Sequence, residues 1–92
     1  KMEMAESVML DFLLDKFVKA VIDYDTDEEL SEIDKRIVSF ISENYKSAYH
    51  CHAKGRSEQE KLYLRLLLVT DYICGMTDSY AKRLYQEMNA II

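Results

Sequence analysis

The 92 residues contain no proline and only two glycines, Gly55 and Gly75. A β-sandwich or barrel needs turn residues at intervals of about 8–12 positions, and this chain cannot supply them. A glycine-rich phosphate loop is excluded for the same reason, because neither glycine has a second one nearby. The longest unbroken apolar run, Leu66 to Val69, falls far short of the roughly 20 residues that span a bilayer, so no membrane partner is expected. Basic residues are also in deficit, 12 against 17 acidic, for a net charge of −5. That balance argues against a protein that grips a phosphate backbone alone, since counterion release needs clustered Lys and Arg. The opening Lys1-Met2-Glu3-Met4-Ala5-Glu6 is acidic where a secretory leader would be basic. Two cysteines, Cys51 and Cys74, make no disulfide framework, and a reduced, cytoplasmic setting is expected.

What the chain does have is apolar content, 49% of residues, enough for a core. The fold expected is all-α: a four-helix, mainly antiparallel, bundle-like fragment over residues 1–92. The first helix covers about Glu3 to Ile22. It carries two apolar stripes, Ala5, Val8, Met9 and Phe12 on one side, and Leu10, Leu14, Phe17, Val18 and Val21 on the other. A helix with one apolar face packs on one core, whereas this one calls for partners on two sides. The chain alone should therefore dimerise or expose Ala5, Val8, Met9 and Phe12. Thr26-Asp27-Glu28-Glu29 reads as a capping box opening a second helix that runs to about Tyr45, at furthest Tyr49. Its stripe is Leu30, Ile33, Ile37, Phe40 and Ile41. The pattern stops between His50 and Arg56. Ser57-Glu58-Gln59-Glu60 is a second capping box, and the third helix behind it is apolar nearly all round, which makes it the most buried element expected. Gly75 suits a left-handed closing residue. Thr77 then caps the fourth helix, with Asp78 in its first turn and Tyr80, Ala81, Leu84, Tyr85 and Met88 along one face. Residues 1–44 carry 12 acids and 5 bases, and residues 45–92 carry 5 and 7, so the acidic half reads as a solvated face.

Catalytic chemistry is sparse. His50-Cys51-His52 offers soft ligands, yet a zinc site wants four, and Cys74 is the only other one present. Cys51 next to a histidine does not form a working dyad, because adjacent residues rarely aim at one atom. Cys74, at the end of an apolar helix, reads as a small core residue. The carboxylates are accounted for by helix starts and a turn. The seven tyrosines, among them Tyr45, Tyr49, Tyr63, Tyr72, Tyr80 and Tyr85, fit helix-bridging roles better than a ligand surface. No catalytic residue and no resident cofactor is assigned within these residues. Arg65 is a lone charge inside an apolar helix. Its stem can bury while the guanidinium pairs with Glu58 or Asp71, or, less favoured, with a phosphate.

One stretch is more specific than its chemistry. Asp71-Tyr72-Ile73-Cys74-Gly75-Met76-Thr77-Asp78-Ser79-Tyr80-Ala81, followed by Leu84-Tyr85, resembles the closing segment of bacterial dGTP triphosphohydrolase-like proteins, which are HD-domain phosphohydrolases. Ser42-Glu43-Asn44-Tyr45 is similar to a Pro-Glu-Asn-Tyr turn in that family, and Leu10 to Val21 to the Leu-rich helix that opens its C-terminal region. The resemblance implies an all-α enzyme that cleaves a dNTP into deoxynucleoside and triphosphate. There a His…His-Asp…Asp set holds a divalent cation, Mg or Mn, that activates water. Neither histidine here is followed by Asp, so no such ligand maps onto this chain. The expectation is the C-terminal part of a longer enzyme, with a structural or pocket-supporting role, partnered by the upstream catalytic HD domain of the same chain and by further copies. Arg65, Tyr72 and Arg83 are its candidates for substrate or subunit contact. Gly75, Thr77, Asp78 and Tyr80 are its structural motif. A second reading is an independent acidic helical interaction module with no enzymatic role.

Overall fold

The computed structural model describes residues 2–91, and the side chains of residues 7–91. Ala5, counted above in the first stripe, lies outside the described side chains. Five helices follow one another: α1 (Met2–Ile22), α2 (Glu32–Phe40), α3 (Glu43–Ala53), α4 (Glu58–Cys74) and α5 (Asp78–Ile91). Among the described residues there is no strand, so the all-α expectation holds, with five helices where four were expected.

The extra helix comes from a break in the second one. Ile41 and Ser42 take extended backbone, with ψ of 128° and 152°. Ile41 is thereby turned into the core, where it is 1% exposed. Ser39 Oγ donates to the Arg36 carbonyl at 2.6 Å, competing with the helix ladder near its end. The start of this region also differs from the expected one. Thr26 does not cap a helix; its hydroxyl donates to the Asp23 carbonyl (2.6 Å) and accepts from the Glu28 N–H (3.1 Å), closing a turn in the α1–α2 connection. Ser31 caps α2 instead, accepting from the Asp34 N–H at 3.1 Å. Of the expected stripe, Ile37 and Ile41 are buried, Leu30 and Phe40 pack partly against the core, and Ile33 is exposed.

The Ser57 capping box is present with both of its reciprocal bonds. The helix it opens is not buried all round. Leu68, Val69, Tyr72 and Ile73 face the core with Arg65, while Tyr63, Leu66 and Leu67 face out. Cys74 is exposed rather than a core residue. On α5, Ala81, Leu84 and Met88 are buried as the stripe requires.

The core joins these faces to Leu13, Phe17, Ala20 and Val21 of α1. The end of α1 meets the middle of α4 through Arg65, and Phe17, earlier on α1, meets Tyr72, about two turns later on α4. These two helices therefore run in opposite directions. Phe12 reaches α5, with its ring 5.1 Å from that of Tyr85. Val8, Leu10 and Leu14 remain exposed, whereas Met9 and Phe12 are only partly so. Val8 of the side expected to be open is thus exposed, and Leu10 and Leu14 of the other stripe are exposed with it.

Candidate functional site

Two clusters hold the residues singled out above, apart from Arg83. The first forms where the α4–α5 turn meets the α2–α3 junction. Thr77 Oγ1 accepts from the Tyr80 N–H at 3.1 Å, the cap expected for α5. Asp78 begins that helix and is exposed, where its charge suits the dipole. Gly75 is not left-handed. Its φ and ψ are −85° and −2°, and its N–H continues the ladder to the Asp71 carbonyl at 3.1 Å. The reason for glycine there is space, since an added Cβ would lie 2.9 Å from the Tyr45 hydroxyl and 3.3 Å from the Asp71 carbonyl oxygen. The left-handed glycine is Gly55, at φ +73° in the α3–α4 loop.

Tyr72 is the hub of this cluster, 4% exposed. Its hydroxyl donates to the Phe40 carbonyl at 2.8 Å, closing the end of α2. That uses its one proton, so the 2.8 Å bond to Tyr80 is donated by Tyr80. Its ring meets Phe17, Tyr45 and Tyr80 edge-on. Burial, reinforced by the Tyr80 hydrogen bond, pushes the Tyr72 phenol far above the ordinary tyrosine range. Above the hub lies a shallow hollow of about 400 Å³, lined by Ser42, Tyr45, Tyr72, Gly75, Met76, Thr77 and Tyr80. It carries no formal charge. The two segments that carried the resemblance, 42–45 and 71–81, meet here.

The second cluster surrounds Arg65, which is 2% exposed. It pairs with neither Glu58 nor Asp71. Its Nε donates to the Val21 carbonyl (2.6 Å), its Nη2 to the Ile22 carbonyl (2.9 Å), and its Nη1 to the Tyr49 hydroxyl (3.3 Å). The last carbonyls of a helix have no partners within it, and a cation there also meets the negative end of the dipole. Arg65 is the C-cap of α1, supplied from another helix. Tyr49 in turn donates to Asp25 Oδ2 at 2.8 Å, and Asp25 holds a left-handed φ of +59°. Burial raises the Tyr49 phenol, partly countered by the Arg65 hydrogen bond. Beside it Tyr24 bonds His50 Nε2 at 2.9 Å, and burial raises its phenol too. Tyr49 bridges helices as expected of the tyrosines, but its particular partners, Arg65 and Asp25, carry no mark in the sequence.

Arg83 is exposed on α5 and joins neither cluster. His50, Cys51 and His52 lie on α3 and not in a loop. Among the described residues no group of three or more His, Cys, Asp or Glu is placed to hold a metal ion, so the residues present do not fit the divalent-cation set of the resemblance. No described helix is long and apolar enough to cross a membrane.

Residues 2–87 match the family profile of the phosphohydrolase-associated domain. Two curated proteins, from Listeria monocytogenes and Listeria innocua, both named deoxyguanosinetriphosphate triphosphohydrolase-like protein, are each 54% identical to this chain over 91 residues. The match takes in 97% of this chain and 20% of each relative. The chain spans about one fifth of the length of the curated relatives it matches. No solved structure matches the chain significantly.

Proposed function

The chain belongs to the phosphohydrolase-associated domain family, and from that premise we propose that it is the C-terminal helical region of a dNTP triphosphohydrolase whose metal centre lies elsewhere in the protein. The carrying observation is the 54% identity over 97% of the chain to proteins named for dGTP triphosphate hydrolysis, of which the match occupies 20%. A phosphoanhydride hydrolase needs a cation or basic clamp where negative charge develops. The HD domain upstream supplies it, with Mg or Mn as the metal, in a cytoplasmic and oligomeric enzyme.

Within that enzyme the region's work is structural. Arg65 and Tyr72 close the ends of α1 and α2, and Tyr72 also braces the turn that presents Gly75, Thr77, Asp78 and Tyr80. Of the three contact candidates, Arg83 has its guanidinium in solvent and is the one suited to a substrate or subunit contact. The bundle-like packing serves as a support against which the catalytic domain is built.

The test is a paired assay for deoxynucleoside and triphosphate release from dGTP, with Mg or Mn. Full-length parent protein is expected to be active and the 92-residue chain inactive. Metal-dependent release of triphosphate by the chain alone would overturn the assignment, as would an inert parent.

A further inference from the structure

Leu10, Leu14, Val18 and Ile22 recur every four residues and so trace one slowly winding line along α1. Leu10, Leu14 and Ile22 are 40%, 38% and 47% exposed. The side of α1 on which this line lies follows from the seam with α4. Phe17 and Val21 face that seam, as Arg65 and Val69 do from α4. In two helices running oppositely, the residue one step after a seam position turns to the same side of the pair. On α1 these are Leu14, Val18 and Ile22, following Leu13, Phe17 and Val21. On α4 they are Leu66, Thr70 and Cys74, all exposed. The two rows form one flank that α2, α3 and α5 leave uncovered, in a molecule extended to 45 × 24 × 20 Å.

The next step outward is acidic. Asp11 and Asp15 border the flank on α1 and Asp71 borders it on α4, against a single cation, Lys19, which pairs with Asp15 at 3.3 Å. A second copy laid on this flank would set two acidic borders together in a chain that already carries −5. A surface with an apolar centre and a Lys- or Arg-rich edge complements it. The curated relatives are about five times longer than their match to this chain, which supplies polypeptide to provide such a surface.

We propose that this α1–α4 flank is the face on which the remainder of the parent polypeptide docks, through a surface that is apolar at its centre and basic at its border. The proposal rests on the reading of the chain as part of a longer enzyme, but its test does not depend on activity. In full-length parent protein with Cys51 and Cys74 replaced by serine, Leu14→Cys and Leu66→Cys are to be labelled with a thiol reagent. Lys54→Cys and Ser79→Cys, both exposed positions, serve as references, and each rate is divided by that in urea-unfolded protein. The flank positions are expected to react at least about ten-fold more slowly than the references. Asp11→Lys with Asp15→Lys should raise the flank rates by weakening the contact. Carbene footprinting of the unsubstituted parent makes the same comparison should a cysteine variant fail to fold. Equal rates at flank and reference positions would overturn the proposal. Protection that vanishes when an oligomer is diluted to monomer would also overturn it, because the occupant would then be a second copy. If the flank is protected in a parent that hydrolyses no dNTP, the docking face stands and the enzymatic reading falls.

Discussion

Replacing Arg65 with methionine keeps a long stem in the same space and removes the fork. Three bonds go: two to the terminal carbonyls of α1 and one to Tyr49. Hydrogen bonds involving a charged group contribute about 1.5–3 kcal/mol each, but neighbouring ones do not add. The larger effect is what stays behind, the Val21 and Ile22 carbonyls at the end of a packed helix, with a Tyr49 hydroxyl still tied to Asp25. A cost of about 3–5 kcal/mol is expected, from about 1–3 kcal/mol for each of the two carbonyls left without a donor together with the lost contact between the cation and the helix dipole. For 92 residues the whole stability is on the order of 5–14 kcal/mol, so this one change should remove roughly a fifth of it or more. Arg65→Lys retains the charge but presents a single nitrogen to two carbonyls, and about 2 kcal/mol should be lost. Urea denaturation followed by circular dichroism measures both, as a fall in midpoint at unchanged slope. Asp71→Asn and Glu58→Gln should each stay within roughly 0.5 kcal/mol of the parent sequence. A loss below about 1 kcal/mol for Arg65→Met, or a comparable loss for either carboxylate variant, would refute the assignment of Arg65 as the cap of α1.

Gly75→Ala should destabilise by about 1–2 kcal/mol because its Cβ meets Tyr45 and the Asp71 carbonyl, and Gly75→Asn should do worse; a left-handed glycine would tolerate asparagine, so the ranking by thermal melting distinguishes space from backbone angle. Ser31→Ala should cost about 1 kcal/mol as the loss of an N-cap, measurable in the same urea assay, with no comparable loss of α2 helicity from Thr26→Ala. Tyr72 is held protonated in the fold, its affinity for the proton raised above the usual 10.0. Its contribution is therefore complete below pH 10 and lost as the pH climbs above it, where the unfolded chain ionises first. Urea titrations from pH 8 to 11 should show this contribution level up to about pH 10 and falling above it, and Tyr72→Phe should flatten the fall.

Helix class, both ends of α4, the α5 cap and its buried stripe were legible because each depends on local spacing: Ser57 with Glu60, Thr77 ahead of Tyr80, Ala81 with Leu84 and Met88. The α2–α3 break was not legible. The apolar stripe continues straight through Ile41 and no Gly or Pro marks the bend, which is made by burying Ile41 with Ser42 behind it. Thr26 and Ser31 both satisfy the N-terminal rule, and only the turn that Thr26 makes with Asp23 decides between them. Arg65 was recognisable as exceptional, but two of its three partners lie 43 and 44 residues away and are backbone carbonyls, which no residue type advertises. The same limit applies to Gly75, whose need for a missing Cβ is set by a tyrosine on another helix. The family resemblance identified segments 42–45 and 71–81 as a pair; the tertiary contact shows what joins them.

That contact makes residues 45 and 75 tenants of one volume, and it gives their history a direction. The Tyr45 hydroxyl sits where a Cβ on residue 75 would begin. Tyr45→Phe vacates the spot at little cost, after which alanine at 75 meets only the Asp71 carbonyl closely, at 3.3 Å; alanine first must also force the ring off Tyr72. A lineage can therefore leave the tyrosine–glycine combination readily by one door only, and the two substitutions made together should be milder than the second alone. Relatives that carry a larger residue at the glycine position are expected to have already lost the hydroxyl thirty residues upstream.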